Sequence, residues 1–284
     1  MIDHISNKVR LNNGVEMPWL GLGVHKSKEG IEVENAVLAA LEYGYCSIDT
    51  ATLYANETGV GKAIKASGIA RHELFITTKI WNTDQGYEST FKAVETSLNK
   101  LQTDYLDLYL IHWPMGQRSV ETWKAMEELY EQGKLRAIGV SNFLIQHLQF
   151  LMANTSVKPM VNQYEFHPQL TQPALYEFCR KNNIQPEAWR PIMKGQVNDI
   201  PLLKEIAAKY GKTPVQLVLR WDLQKGVVTI PKSVHAERIR SNADIFDFEI
   251  DEKDMRRIDS LDRDFRLGDD PNDLESLFKK YGNP

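Results

Sequence analysis

From Trp19 onward, short apolar runs alternate with longer stretches in which apolar residues return every third or fourth position. The runs are LGLGV, CSID, LFITTKI, LDLYLIH, RAIGVS, MVNQ, IQPEAW and VVTIP, eight in number. Strands that are apolar on both faces belong inside a molecule, covered from both sides. The stretches between them include Ile31 to Tyr43, Tyr87 to Leu101, Val120 to Gln132, Leu144 to Ala153 and Gln172 to Asn182, and they carry the helical period, as Val37, Leu38, Ala40 and Leu41 illustrate. Alternating strands and helices predict a parallel sheet under a helical cover. Eight such units in 284 residues fit a closed α/β barrel of the (β/α)8 or TIM type better than an open sheet.

The two ends add to that pattern. KVRL and VEM flank Asn12-Asn13-Gly14, whose Asn-Gly step suits the tight turn of an N-terminal β-hairpin. Leu202 to Gln224 reads as two helices, the second opened by Thr213-Pro214 as cap and first-turn residue. Extra C-terminal helices are expected around His235 to Ala243 and Asp251 to Leu261, before a tail rich in Asp, Gly and Pro. With no repeat beyond this rhythm and no linker, residues 1–284 read as a single domain.

Composition narrows the partners. The net charge is -4 with both signs interspersed, so no broad basic face is offered to nucleic acid or an anionic membrane, and small molecules become the expected ligands. The polar start MIDHISNKVRLNNG does not read as a secretory signal, and no apolar run has the length of a bilayer span. Cys46 and Cys179, far apart and without CxxC spacing, fit a reduced cytoplasmic setting and argue against a disulfide scaffold or a zinc site.

In a barrel of this kind the loops after the strand carboxyl ends build the active site. The polar residues there are Asp49, Lys79, His112, Ser141 with Asn142, Gln163, Trp189 and, after the last strand, Lys232. Any one could simply mark where a strand meets water. Lys79 is more telling: FITTKIW carries an ammonium inside an apolar run, where a lone charge is costly, so it calls for an acid, and Asp49 on the neighbouring strand is the candidate. In IDTATLY the phenol of Tyr54 follows Asp49 by five residues, and a fixed ammonium nearby should lower its pKa and make it a usable acid near neutral pH. His112, ending LYLIH, could bind a carbonyl oxygen or assist proton delivery to it. The four together suggest protonation of a carbonyl.

ALEYGYCSIDTATLYANE, LDLYLIHWP, and IPKS followed by ERIRSN occur in the order and spacing of the aldo-keto reductases, which the chain resembles over essentially its whole length. It is most similar to the short bacterial members that include diketogluconate and glyoxal or methylglyoxal reductases. The resemblance implies a monomeric barrel that reduces aldehydes or ketones with NADPH. It makes Asp49, Tyr54, Lys79 and His112 the catalytic tetrad, with Tyr54 as proton donor. It assigns Ser141, Asn142 and Gln163 to the nicotinamide carboxamide and Trp189 to the face of its ring. Lys232, Ser233, Val234 and Arg238 match residues around the adenosine phosphate, and Asn242 one at the adenine.

Two further observations bear on the cofactor. No G-x-G-x-x-G joins a strand to a helix and no Walker GK[ST] is present, so neither a Rossmann nor a P-loop site is available. Lys232, His235, Arg238 and Arg240 cluster near the start of a helix, where charge and backbone donors suit a phosphate and favour NADPH over NADH. Three positions depart from the family's usual pattern: Arg190 stands for a common Ser, Ser241 for a frequent Glu, and His25 for a bulkier aromatic near the substrate. His25, Trp81 and Trp113 are candidate pocket walls beside Tyr54 and His112; the loop after His112 is too short for a large lid, while the tail after Asp264 could cover the site. Two competing readings are an NADPH-binding redox-sensing subunit with slow turnover and a Schiff-base lyase using Lys79.

Overall fold

The structure is a computed structural model and describes residues 2–281. Strands β1 (Lys8–Arg10) and β2 (Glu16–Pro18) form the antiparallel hairpin, pairing Val9 with Met17. Eight parallel strands follow in one sheet whose spatial order is their chain order: β3 (Leu22–Gly23), β4 (Ser47–Asp49), β5 (Phe75–Ile80), β6 (Leu108–Ile111), β7 (Ile138–Ser141), β8 (Val161–Glu165), β9 (Gln185–Trp189) and β10 (Val228–Thr229). Parallel bridges from Leu20 to Thr229 and from Gly23 to Lys232 join the last strand to the first. The sheet therefore closes into a barrel, and all eight carboxyl ends open on one mouth.

Helices α1 (Ile31–Glu42), α2 (Glu57–Ser67), α3 (Tyr87–Leu101), α4 (Gln117–Glu131), α5 (Ile145–Ala153) and α6 (Pro173–Lys181) make the crossovers between successive strands. α7 (Pro201–Lys209) and α8 (Pro214–Gln224) share the step from β9 to β10, and proline opens each of α6, α7 and α8. Thr213 caps α8 in a reciprocal box with Gln216, as its hydroxyl and the Thr-Pro pair require. The sequence pattern did not disclose α2, whose buried face mixes Gly59, Gly61 and Ala63 with only two larger apolar residues, Val60 and Ile64. A Cβ on Gly61 would lie 2.6 Å from the Lys100 carbonyl oxygen, so the glycine lets α2 pack directly against the last turn of α3.

The core lies between barrel and helices, with Trp123, Trp221, Tyr45, Tyr109 and Tyr164 fully buried; each large apolar side chain withdrawn from water contributes about 1.5–3 kcal/mol. After α9 (Ala236–Ala243) and α10 (Glu252–Asp259) the tail turns back over the barrel mouth. The Phe265 amide donates to Gln169 O at 2.9 Å, and the amides of Leu267 and Gly268 donate to the buried Glu165 carboxylate at 2.9 Å each. The tail ends in α11 (Leu274–Tyr281), whose Leu277 packs on Trp81 and Trp113. No helix among the described residues is long and apolar enough to cross a membrane.

Candidate active site

Asp49 is the last residue of β4, and the chain then tightens into a 3-10 turn, Thr52–Tyr54, ended by Ala55 in the left-handed region at φ 53°. Side chains hold that turn in place. The Thr52 hydroxyl donates to Lys79 O at 3.0 Å and accepts from the Trp81 amide at 3.2 Å, tying the turn to β5. Asn56 accepts from Thr50 at 2.7 Å and donates to Val24 O and Ser27 O, tying it to the loop after β3. Tyr54 is thereby fixed above the mouth, half-buried.

Lys79 has no exposed surface, and its Nζ lies 2.5 Å from Asp49 Oδ1 and 2.9 Å from Thr50 O. Burial works against the ammonium, but Asp49, Tyr54 and Glu187 outweigh it, and the Lys79 pKa stays above the ordinary lysine value. Nζ sits 5.3 Å from the centre of the Tyr54 ring. The expected lowering of the Tyr54 pKa does not occur: burial raises it, the Lys79 charge only partly offsets that, and Asp49 adds to the rise. The sequence could name the ammonium but could not weigh it against desolvation.

His112 follows β6, its ring 5.7 Å from that of Tyr54. Burial, then the charges of Lys79 and His25, hold its pKa well below the ordinary value, so it is neutral near pH 7; its Nδ1 is buried with no hydrogen-bond partner among the described residues. The His25 ring lies 4.8 Å from that of Tyr54, and burial, then Lys26, Arg190, Lys79 and Lys232, lower its pKa to about 4. Trp113 borders the cavity. Trp81 does not: it stands behind, its ring between His112 at 5.2 Å and Tyr281 at 5.5 Å, because α11 packs over it. Tyr281 instead supplies a wall that the sequence reading left unassigned.

A cavity of about 870 Å³ runs from Tyr54 and His112 across the mouth. Ser141, Asn142, Gln163 and Trp189 border its inner part. Asn142, at φ 63°, donates to His112 O and accepts from the Trp189 indole, both at 2.9 Å, so one amide sets the relation between three strand ends. Gln163 Nε2 donates to Asp49 Oδ2 and to Glu187 Oε2, again at 2.9 Å each. Lys232, Ser233, Val234, Arg238 and Asn242 border the outer part with His235 and Ser241; Arg240 turns away, its guanidinium 5.9 Å from the Tyr43 ring. Arg190 borders the cavity with its guanidinium 5.0 Å from the Trp189 ring and its buried Nη1 without a hydrogen-bond partner among the described residues. Arg190 and then burial draw the pKa of neighbouring Lys194 down, and burial draws that of Lys232 down. The repulsion between Arg190 and Lys194, with Lys232 farther along the same cavity, suits a ligand carrying several phosphate charges.

The sequence reading missed Glu187 and Lys194. Glu187 had the same signal as Lys79, a charge inside an apolar run, in IQPEAW. Lys194 had none, because its place depends on the fold of the segment Met193–Asp199.

The description "Aldo/keto reductase family" matches residues 20–263. The chain is 57% identical to a glyoxal reductase of Bacillus subtilis (strain 168), over 95% of this chain and 98% of that one. It is 47% identical to the methylglyoxal reductase DkgA of Escherichia coli (strain K12), over 93% and 96% of the two chains. A crystal structure of a Gox0644 mutant in complex with NADPH is 46% identical and superposes with a TM-score of 0.88, covering 94% of this chain and 97% of that one.

Proposed function

Because the chain belongs to the aldo/keto reductase family, we propose that it reduces aldehydes and ketones to alcohols with NADPH, with Tyr54 as the proton donor. The observation that carries this reading is the buried Lys79–Asp49 pair beside Tyr54, at one end of a cavity of about 870 Å³ that continues to Lys232, Arg238 and Asn242. Ser141, Asn142, Gln163 and Trp189 would hold the nicotinamide end, and Lys232, Ser233, Val234, Arg238 and Asn242 the phosphorylated adenosine end. When bound, the cofactor supplies the hydride that adds to the carbonyl carbon.

The chain's own residues handle the oxygen. Tyr54, with its pKa raised by burial, is fully protonated at neutral pH and so holds a proton to give. As it gives that proton to the carbonyl oxygen, Lys79 stabilises the phenolate left behind, and Asp49 keeps Lys79 charged throughout. Neutral His112 offers a hydrogen bond that orients the carbonyl without competing for the proton. His25, Trp113 and Tyr281 crowd the space beside Tyr54, which suits small aldehydes and dicarbonyls, the class named for the glyoxal and methylglyoxal reductases to which the chain is similar; keto sugars are the next class to try. In this reading the protein works in the cytoplasm as a monomer of one barrel domain, without nucleic acid or membrane as partner.

NADPH absorbance followed with glyoxal, methylglyoxal, aromatic aldehydes, keto acids and keto sugars, with NADH in parallel, tests the proposal. Tyr54→Phe should lower kcat by roughly 10²- to 10⁴-fold and leave NADPH affinity unchanged. Wild-type turnover in that variant would sink the assignment of Tyr54. Binding of NADPH without turnover of any carbonyl would favour a redox-sensing subunit. A lyase is disfavoured because Asp49 keeps Lys79 as a charged, poorly nucleophilic ammonium; covalent trapping at Lys79 by borohydride would reverse that conclusion.

A further inference from the structure

Gln163 and Glu187 are register partners on adjacent parallel strands, so their side chains leave the sheet on the same side, toward Asp49. Both hydrogens of the Gln163 amide are used there, one on Asp49 Oδ2 and one on Glu187 Oε2. The other Asp49 oxygen accepts from Lys79, so Glu187, Gln163, Asp49 and Lys79 form one hydrogen-bonded row across the barrel, every member buried. Gln163 borders the cavity, whereas Glu187 does not. Glu187 reaches the cavity only through Gln163.

Asp49 alone would hold one of the two amide hydrogens and leave the other, and with it the plane of the amide, unfixed. Glu187 takes the second hydrogen, so both are held, and turning the amide would set its carbonyl oxygen against the buried Asp49 carboxylate. We propose that Glu187 is a positioning residue for the nicotinamide carboxamide: with Asp49 it locks the Gln163 amide so that only the Gln163 carbonyl oxygen is presented to the cofactor. This rests on the reading of the groove as the NADPH site.

The row also carries charge. Asp49 from β4 and Glu187 from β9 share one cation, Lys79 from β5, and β10 sets the uncharged Val228 opposite Glu187. Burial and then Asp49 raise the Glu187 pKa to about 8, against the hydrogen bond from Gln163 and the charge of Lys79. Below that pH the acid beneath the site is neutral and suits the uncharged ring of NADPH. Above it the added negative charge favours the cationic ring of NADP+.

Intrinsic tryptophan fluorescence of the full chain, titrated with NADPH, with NADP+ and with adenosine 2′,5′-bisphosphate, tests this without reference to turnover. Glu187→Leu should weaken NADPH roughly tenfold, the scale of one hydrogen-bonded contact, and leave the bisphosphate unaffected because it carries no nicotinamide. Glu187→Gln keeps an acceptor for Gln163 and should restore NADPH affinity. In the native chain NADP+ should gain on NADPH as pH rises from 7 to 9; in Glu187→Gln that gain should vanish, a reading available even if the Leu variant does not fold. Equal weakening of NADPH and the bisphosphate, native NADPH affinity in Glu187→Leu, or an unchanged pH response in Glu187→Gln would overturn the proposal. A native chain that binds none of the three ligands would overturn the NADPH site itself, and this proposal with it.

Discussion

Lys79 was legible as soon as its ammonium was seen inside FITTKIW, because burying a lone charge is costly enough to demand a partner. What could not be read was the balance at Tyr54, where burial prevails over the lysine's charge and the phenol stays protonated. The pair itself makes a clear prediction. Asp49→Asn leaves Lys79 without its counter-charge at zero exposure and should cost roughly 3–5 kcal/mol in urea unfolding. Adding Lys79→Met to that variant should recover much of the loss while activity stays absent. A stability for Asp49→Asn equal to that of the native chain would mean the pair is not a buried ion pair in solution.

At the scale of elements, strands and most helices could be read from apolar period; the tail after Asp264 could be read as a possible cover for the site but not placed, since its position depends on acceptors supplied elsewhere. Glu165 at the end of β8 takes the amides of Leu267 and Gly268, and this brings α11 over Trp81 and Trp113. Gly268 is required by that fit: a Cβ there would lie 2.3 Å from Trp189 Cη2 and 2.9 Å from Glu165 Oε2. Gly268→Ala must lift the tail or displace the indole from its bond to Asn142. We expect a stability loss of roughly 1–3 kcal/mol by denaturant titration, accompanied by weaker NADPH binding. Unchanged NADPH affinity would show that the tail moves and the Trp189 platform does not.

Over the whole molecule, half-buried His25 and buried Glu187 pull stability in opposite directions with pH. His25 has a folded pKa of about 4 against an unfolded value near 6.5, so the stability it allows is present above pH 6.5 and is lost as pH falls toward 4. Glu187 is the reverse: its folded pKa of about 8 exceeds the unfolded value near 4.3, so its contribution is fully present below pH 4.3 and is lost as pH rises through 8. Melting temperatures across pH 4 to 9 should therefore decline less on the acid side in His25→Phe and less on the alkaline side in Glu187→Gln. A Glu187→Gln curve parallel to the native one would mean that the acid is ionised in the folded protein.

The sequence by itself determined the barrel and the residues around its mouth, because both follow from local rules: a run apolar on both faces must be a covered strand, and a parallel strand delivers its last polar residue to one common rim. Asp49, Lys79, His112, Asn142, Gln163 and Trp189 were all found that way. The tertiary structure alone decided what those residues do to one another. The height of the Tyr54 pKa, the locking of Gln163 by Glu187, the turning of Arg240 toward Tyr43 and the covering of Trp81 by α11 each depend on the distance, burial and direction of groups far apart in the chain. Electrostatic energies vary with exactly those quantities, and no local pattern of residues encodes them.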